Sequence, residues 1–300
     1  MSKKILFMGT PDYATTIFKE LMNSEYEIVG LFTQPDKPVG RKQILTAPHI
    51  KQYCIDENIN LPIFQPLKLR GNEEATKQIT ELKPDFIIVA AYGQILPKEI
   101  LDIAPCINLH ASLLPKYRGA SPIQESLLND DIYTGVTSML MEEGLDSGDI
   151  LGLQYLRITS TMEVSEAFEK LSLIAAKLTI TTLDNFENIK PIKQNESQVS
   201  FCKKIKKEDG LIDFIDAKKL YLKYKAYSYW PGIFLESELK LKDIELNDEK
   251  SINNQGQILE INSDFIIVGC EKGSLKIKTL QAPSKKAMNA IDYIRGQRLE

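Results

Sequence analysis

The run DFIIVAA at 85–91 restricts the fold most. It is bounded by Pro84 on one side and Tyr92-Gly93 on the other. Almost every residue in it is apolar, so an extended strand there must be shielded from water on both faces. Such strands belong in the middle of a parallel sheet sandwiched between helices. The flanking segments agree. KKILFMG and EYEIVGLFT are short strand-like runs, with a helix expected over DYATTIFKELMNS between them. Residues 47–58 and 72–82 are expected as helices. CINLH at 106–110 is expected as a strand after a short helix, 121–129 as a helix, and 133–141 and 150–157 as strands. From 163 to 189, Val164, Ala167, Phe168, Leu171, Ile174, Ala175 and Leu178 form an apolar stripe at helical spacing. Strands alternating with helices imply an α/β domain with a Rossmann-like, mainly parallel sheet and helices on both faces.

The pattern changes near residue 190. PIKQNESQVSFCKKIKKEDG is polar and charged, as a junction between domains would be. Beyond it GQILEI, DFIIVGC and SLKIKTLQA are short strands spaced by turns, the mark of a small β-barrel or sandwich. The expected organisation is a domain over 1–189, a linker over 190–206 and a second domain over 207–300. A chain of 300 residues suits two domains.

With 43% hydrophobic and 26% charged residues, the chain is expected to bury a full core. No apolar run reaches the roughly 18 residues of a membrane span. The start, MSKKILFMG, runs directly into a strand rather than into a leader's apolar stretch, so a cytoplasmic protein is expected. Cys54, Cys106, Cys202 and Cys270 are far apart, with no CxxC and no Cys/His cluster. That pattern argues against structural zinc and requires no disulfide. Cys106 is expected as a small buried apolar residue. The net charge of −4 opposes indiscriminate nucleic-acid binding. It hides an asymmetry, because residues 203–300 carry a modest excess of Lys and Arg over an acidic remainder.

The chemistry is concentrated in NLHASLLPKYRGASP at 108–122, which holds one of only two histidines. At a strand end, Asn108 and His110 share a face, since side chains alternate with period two. They are either a satisfied core pair or two functional groups; the scarcity of histidine and the strand-end position favour function. Downstream, GLDSGD at 144–149 puts Asp146 and Asp149 on a glycine-flexed loop, as reactive carboxylates or as ordinary turn residues. Asn, His and Asp together supply an oxyanion donor, a proton carrier and an orienting or deprotonating group, a set suited to acyl transfer. YGQILP at 92–97 follows the central strand, where open α/β sheets bind ligands; a plain turn and helix cap fit equally well. Gly9-Thr10-Pro11 lacks the GxGxxG fingerprint, which disfavours a nicotinamide dehydrogenase. QPDKPVGRKQILTAP at 34–48 is a long connection whose Lys37, Arg41 and Lys42 either contact phosphates or are simply solvated. In SLLPKYRGASP the cations are of the exposed type. Trp230 is expected to lie buried in the small second core.

Together these segments resemble the methionyl-tRNA formyltransferases. The matching pieces are FMGTPDYA at 7–14, QPDKPVGR at 34–41, AYGQILP at 91–97, INLHASLLPKYRGASPIQ at 107–124 and GLDSGDIL at 144–151, with WPG at 230–232 weaker. They run in order along the whole chain. The Asn-x-His, SLLP and GLDxGD elements are common to folate-dependent formyltransferases, whereas GTPDYA and the PDKPVGR loop point to those acting on tRNA. The resemblance implies 10-formyltetrahydrofolate as formyl donor, methionyl initiator tRNA as acceptor and no metal. It implies an N-terminal folate-binding domain and a C-terminal OB-like barrel that helps hold tRNA. Its catalytic positions fall on Asn108, His110 and Asp146. Its folate contacts fall on Tyr92, Gly93, Gln94, Ile95, Leu96 and Pro97, and on Ser112, Leu113, Leu114 and Pro115. Its tRNA-reading loop falls on Lys37, Arg41 and Lys42. A monomer is expected. The insertion loop carries fewer clustered cations than is usual in the family. Alternatives are formyl transfer to an amino sugar nucleotide or to glycinamide ribonucleotide, or a non-catalytic RNA-binding protein.

Overall fold

The computed structural model describes residues 2–40 and 42–297. In chain order the elements begin β1 (Lys4–Gly9), α1 (Asp12–Met22), β2 (Glu27–Phe32), β3 (Lys37–Val39), β4 (Ile44–Thr46), α2 (His49–Asp56), β5 (Ile63–Phe64), α3 (Glu73–Leu82) and β6 (Phe86–Ala90). They continue with α4 (Lys98–Leu101), β7 (Cys106–His110), β8 (Arg118–Gly119), α5 (Pro122–Leu128), β9 (Tyr133–Leu140), β10 (Ile150–Arg157), α6 (Val164–Asp184) and β11 (Phe201–Cys202). Last come α7 (Ala217–Tyr227), β12 (Ile233–Phe234), β13 (Lys240–Asp248), β14 (Ile258–Ile261), β15 (Ile266–Gly269), β16 (Ser274–Gln281), β17 (Met288–Asn289) and α8 (Ala290–Gln297). The chain divides into two compact units. One holds the described residues up to Pro122 with Tyr133–Arg157 and Phe168–Cys202; the other holds Ile123–Ile132, Ile158–Ala167 and the described residues from Lys203.

The first unit is built on a seven-stranded sheet in the order β10-β9-β7-β6-β1-β2-β5. The five strands from β5 to β7 are parallel, and β9 and β10 are antiparallel to their neighbours. The DFIIVAA run supplies β6, buried at every position between β1 and β7. Its alternation sends Ile87 and Val89 into one core with Leu6, Met8, Phe32, Ile79, Leu96 and Ile100. On α1 the buried positions Tyr13, Ala14, Ile17, Phe18 and Leu21 recur at helical spacing. Phe18 meets Phe7 edge-on at 5.4 Å between ring centroids. Helix α3 starts at an Asn72 cap, whose side chain accepts from the Ala75 N–H at 3.1 Å. The chain order reverses between β1 and β6. Their carboxyl ends, with that of β7 beside them, therefore form the edge where this class of sheet takes ligands.

Two segments differ from the sequence expectation. The stretch 34–48 contains a hairpin: β3 and β4 pair Lys37 with Thr46, Pro38 with Leu45 and Val39 with Ile44. The polar stretch at 190–202 is no free connection, because it packs on the first unit. Ile192 exchanges two backbone hydrogen bonds with Ile150, and β11 pairs in parallel with β8.

The second unit carries a six-stranded antiparallel sheet in the order β12-β13-β16-β15-β14, with β17 added on β16. Ile233, Leu241, Ile244, Val268, Leu275, Ile277 and Leu280 supply its core. Helix α7 begins at Asp216, whose carboxylate caps the Lys219 N–H. Trp230 is not the core residue expected. It is 50% exposed, because it stands in the short turn between α7 and β12, where aliphatic strand residues already fill the interior. Among the described residues no helix is long and apolar enough to cross a membrane.

Candidate active site

Strand β7 ends at His110 and puts Asn108 and His110 on one face, both buried. The ring is held by its Nε2, which lies 2.9 Å from the Tyr117 carbonyl. A carbonyl only accepts, so Nε2 carries a proton. The other nitrogen, Nδ1, lies 3.7 Å from Asp146 Oδ2. That is too long for a hydrogen bond and leaves Nδ1 as the ring atom open to a reacting group.

Asp146 comes from the connection between β9 and β10, with φ at 49°, in the left-handed region. The turn closes tightly: the Leu140 N–H donates to the Asp149 carbonyl at 2.9 Å. Gly148 is required there, because a Cβ would collide with the Leu140 carbonyl oxygen. The Asp146 carboxylate accepts from Asn108 Nδ2 at 3.3 Å and from the Gly119 N–H at 2.8 Å. Asn108, His110 and Asp146 therefore converge, as their residue types suggested. Asp149 takes part through its backbone.

The loop from Tyr92 to Pro97 leaves β6 beside this group, since Val89 pairs with Asn108 in register. Its residues divide into two sets. The Tyr92 ring and Leu96 are buried in the core, and the Tyr92 carbonyl accepts from Thr10 Oγ1 and Gln34 Nε2, each at 3.1 Å. Gln94 is committed to the scaffold, accepting from the Leu69 N–H at 2.8 Å and donating to the Pro66 carbonyl at 3.0 Å. Pro97 precedes α4. The backbone around Gly93, at φ 84°, and the Ile95 side chain, 71% exposed, are what the loop leaves open to solvent. Of the second stretch, Ser112 is spent on the Lys116 carbonyl at 2.6 Å and Leu114 is buried. Leu113 and Pro115 remain half-buried.

Lys37 and Lys42 are exposed on the hairpin. Arg41 lies outside the described residues. The base of the hairpin is anchored by Asp36, which accepts from Gln65 Nε2 at 2.7 Å and Lys51 Nζ at 2.9 Å. Those bonds, Gln65 first, hold its carboxyl below the usual range. Burial pushes the Cys106 thiol up to about 12, which fits the inert role expected of it. Among the described residues no group of three His, Cys, Asp or Glu side chains is arranged as metal ligands.

Two residues at the site were not legible in the sequence. Arg118 has the look of an exposed loop cation, yet it is only 4% exposed. Gln194, in the polar stretch whose composition suits a linker, is 9% exposed and donates to the carbonyls of Asp146 and Gly148, both at 2.8 Å. The one available signal was an amide in an otherwise charged run, which is too common to single out.

A formyl transferase family model matches residues 3–183, and a formyl transferase C-terminal domain model matches residues 204–298. A methionyl-tRNA formyltransferase of a Nitratiruptor species is 58% identical over 297 residues, spanning 99% of this chain and 98% of the relative. The chain belongs to the methionyl-tRNA formyltransferase family. Members named alike from Campylobacter lari and Wolinella succinogenes are 55% and 52% identical, each over 99% of this chain and at least 97% of their own length. Solved structures share the fold at low identity. HypX from Aquifex aeolicus in complex with tetrahydrofolic acid gives a TM-score of 0.66 at 17% identity, covering 98% of this chain and 47% of that one. WlaRD, a sugar 3N-formyl transferase, gives 0.69 at 16% identity, covering 95% of this family member and 100% of its own chain.

Proposed function

We propose that the chain transfers the formyl group of 10-formyltetrahydrofolate to the α-amino group of methionine on initiator tRNA, at Asn108, His110 and Asp146. The observation that carries this reading is their convergence at the carboxyl edge of the sheet, in a chain alike from end to end to relatives of that name. The exposed backbone at Gly93 and the Ile95 side chain beside that edge suit a flat, partly apolar ligand such as a folate ring.

The amine nitrogen attacks the formyl carbon, giving a tetrahedral oxyanion. Asn108 Nδ2 has two N–H groups, one on Asp146 and one left for that oxygen. His110, fixed through Nε2, turns Nδ1 toward the same space and donates there when protonated. The Gly119 N–H donates to one Asp146 oxygen and fixes the carboxylate in place, where it takes the amine proton through a water. The C–N bond to folate then breaks as the proton collected at Asp146 passes back through the water to the folate nitrogen, which leaves as the neutral amine. The test is incubation with charged initiator tRNA and 10-formyltetrahydrofolate, followed by deacylation. Formyl-methionine is expected; none, with formylation of an amino sugar nucleotide or glycinamide ribonucleotide instead, moves the chain to a sister activity.

Asp149→Asn is expected to be milder than Asp146→Asn, because Asp149 closes the turn through its carbonyl, which the substitution keeps. A larger fall in kcat at Asp149 reverses the assignment.

The hairpin carries the tRNA contact in this reading. Each phosphate contact releases counterions, so Lys37→Ala, Arg41→Ala or Lys42→Ala should flatten the salt dependence of tRNA binding by about one unit of log–log slope. Folate affinity should not change. Superimposable salt titrations for all three variants would mean that these cations are only solvated.

A further inference from the structure

Asp146 has an unusual support. Its backbone sits at φ 49°, where a side chain other than glycine persists only if its surroundings hold it. Both carbonyls that flank this strain in the turn, those of Asp146 and Gly148, accept from the single amide of Gln194. The amide is itself oriented. Its Oε1 accepts from Arg118 Nε at 3.0 Å and Nη2 at 2.9 Å. Arginine only donates and carbonyls only accept, so turning the amide over would face donor to donor and acceptor to acceptor at every contact. Arg118 is anchored in turn, by Nη2 to Glu196 at 2.8 Å and by its N–H to the Ser200 carbonyl at 2.9 Å. The next residue, Gly119, donates its N–H to the Asp146 carboxylate. The dipeptide Arg118-Gly119 thus reaches Asp146 twice, once at the carboxylate and once through Gln194 at the backbone. Because the guanidinium meets the amide oxygen and not the carboxylate, the turn is fixed without an arginine pairing off the negative charge of Asp146.

We infer that Gln194, oriented by the buried Arg118, is a positioning residue that aims the Asp146 carboxylate at Asn108, His110 and the reacting amine. The inference rests on the role proposed above for Asp146. Its energetic weight follows from geometry, since misplacing a reacting group by about 1 Å costs about 10²-fold in rate.

The test uses the full-length protein and four variants: Gln194→Ala, Gln194→Glu, Asp146→Ala and the double Gln194→Ala/Asp146→Ala. kcat and KM are measured for formylation of methionyl-tRNA. Gln194→Glu keeps the size of the side chain and gives Arg118 an anionic partner, so it preserves the surrounding packing. It nevertheless sets an oxygen against the two carbonyls of the turn. Both single Gln194 variants should lower kcat by about 10- to 100-fold with KM for either substrate unchanged. In the Asp146→Ala background, Gln194→Ala should cost nothing further, because its effect runs through the missing carboxylate. Additive losses in the double variant, a loss confined to KM, or a Gln194→Glu protein with normal kcat each overturn the inference while leaving the role of Asp146 intact. Full turnover in Asp146→Ala instead overturns that role, and the inference with it.

Discussion

Asp146→Ala should lower the turnover of formyl transfer by about 10²–10⁴-fold, the range for a positioned proton acceptor. Asn108→Ala should cost about 10²–10³-fold, the range for an oxyanion donor. Both should leave folate affinity close to that of the unaltered protein. The split follows from the geometry. Asp146 is built for charge: it accepts from Asn108 and from the Gly119 N–H, and it stands 3.7 Å from His110 Nδ1. None of these three side chains belongs to the Tyr92–Pro97 loop, whose exposed backbone and Ile95 are the surfaces proposed for folate. His110→Ala belongs to the same set, since it removes a ring fixed on the Tyr117 carbonyl with its second nitrogen facing the site. Pre-steady-state turnover with saturating tRNA separates chemistry from binding. Near-normal turnover in the His110 variant would refute the mechanism, and a collapse of folate affinity in the Asn108 or Asp146 variant would turn these groups into binding residues.

Gly119→Ala is expected to damage stability and activity together. Gly119 has φ 123°, in the region where a Cβ is strained, and an added Cβ would run into the carbonyl oxygen of Cys202. Backbone strain of this kind costs about 1–3 kcal/mol. Relief requires β8 to part from β11, the pairing through which the 115–121 loop is tied to residues 200–202. The same movement withdraws the N–H that Asp146 accepts. The urea midpoint should therefore fall with an unchanged m-value, and kcat should drop even at temperatures where the variant remains folded. A variant with the original midpoint and full kcat would show that the β8–β11 pairing is slack and that the Gly119 N–H is dispensable.

Most of the scaffold was legible along the chain because it is set by neighbours. The apolar run Phe86–Ala90 can be satisfied only between two strands and under two layers, and it lies there. The stripe from Val164 onward makes a helix. Period-two alternation alone places Asn108 and His110 on one face, and the strand end places that face at the ligand edge. Each of these rests on a few consecutive residues, whose spacing decides which side meets water. What the tertiary structure decided involves residues far apart in the chain. Asp146 reaches Asn108 across 38 positions, and Arg118 meets Gln194 across 76. A buried guanidinium looks like any surface arginine until its partner is known. An amide in a polar stretch looks like linker until a strained turn is laid against it. Trp230, expected inside, stands half in water because aliphatic side chains from other strands had already filled the second core. Local pattern carries the sign of a residue's preference for water or for its own turn. Whether a polar group is buried, strained or aimed depends on which distant donor or acceptor the fold brings within about 3 Å of it, and no window along the chain contains that information.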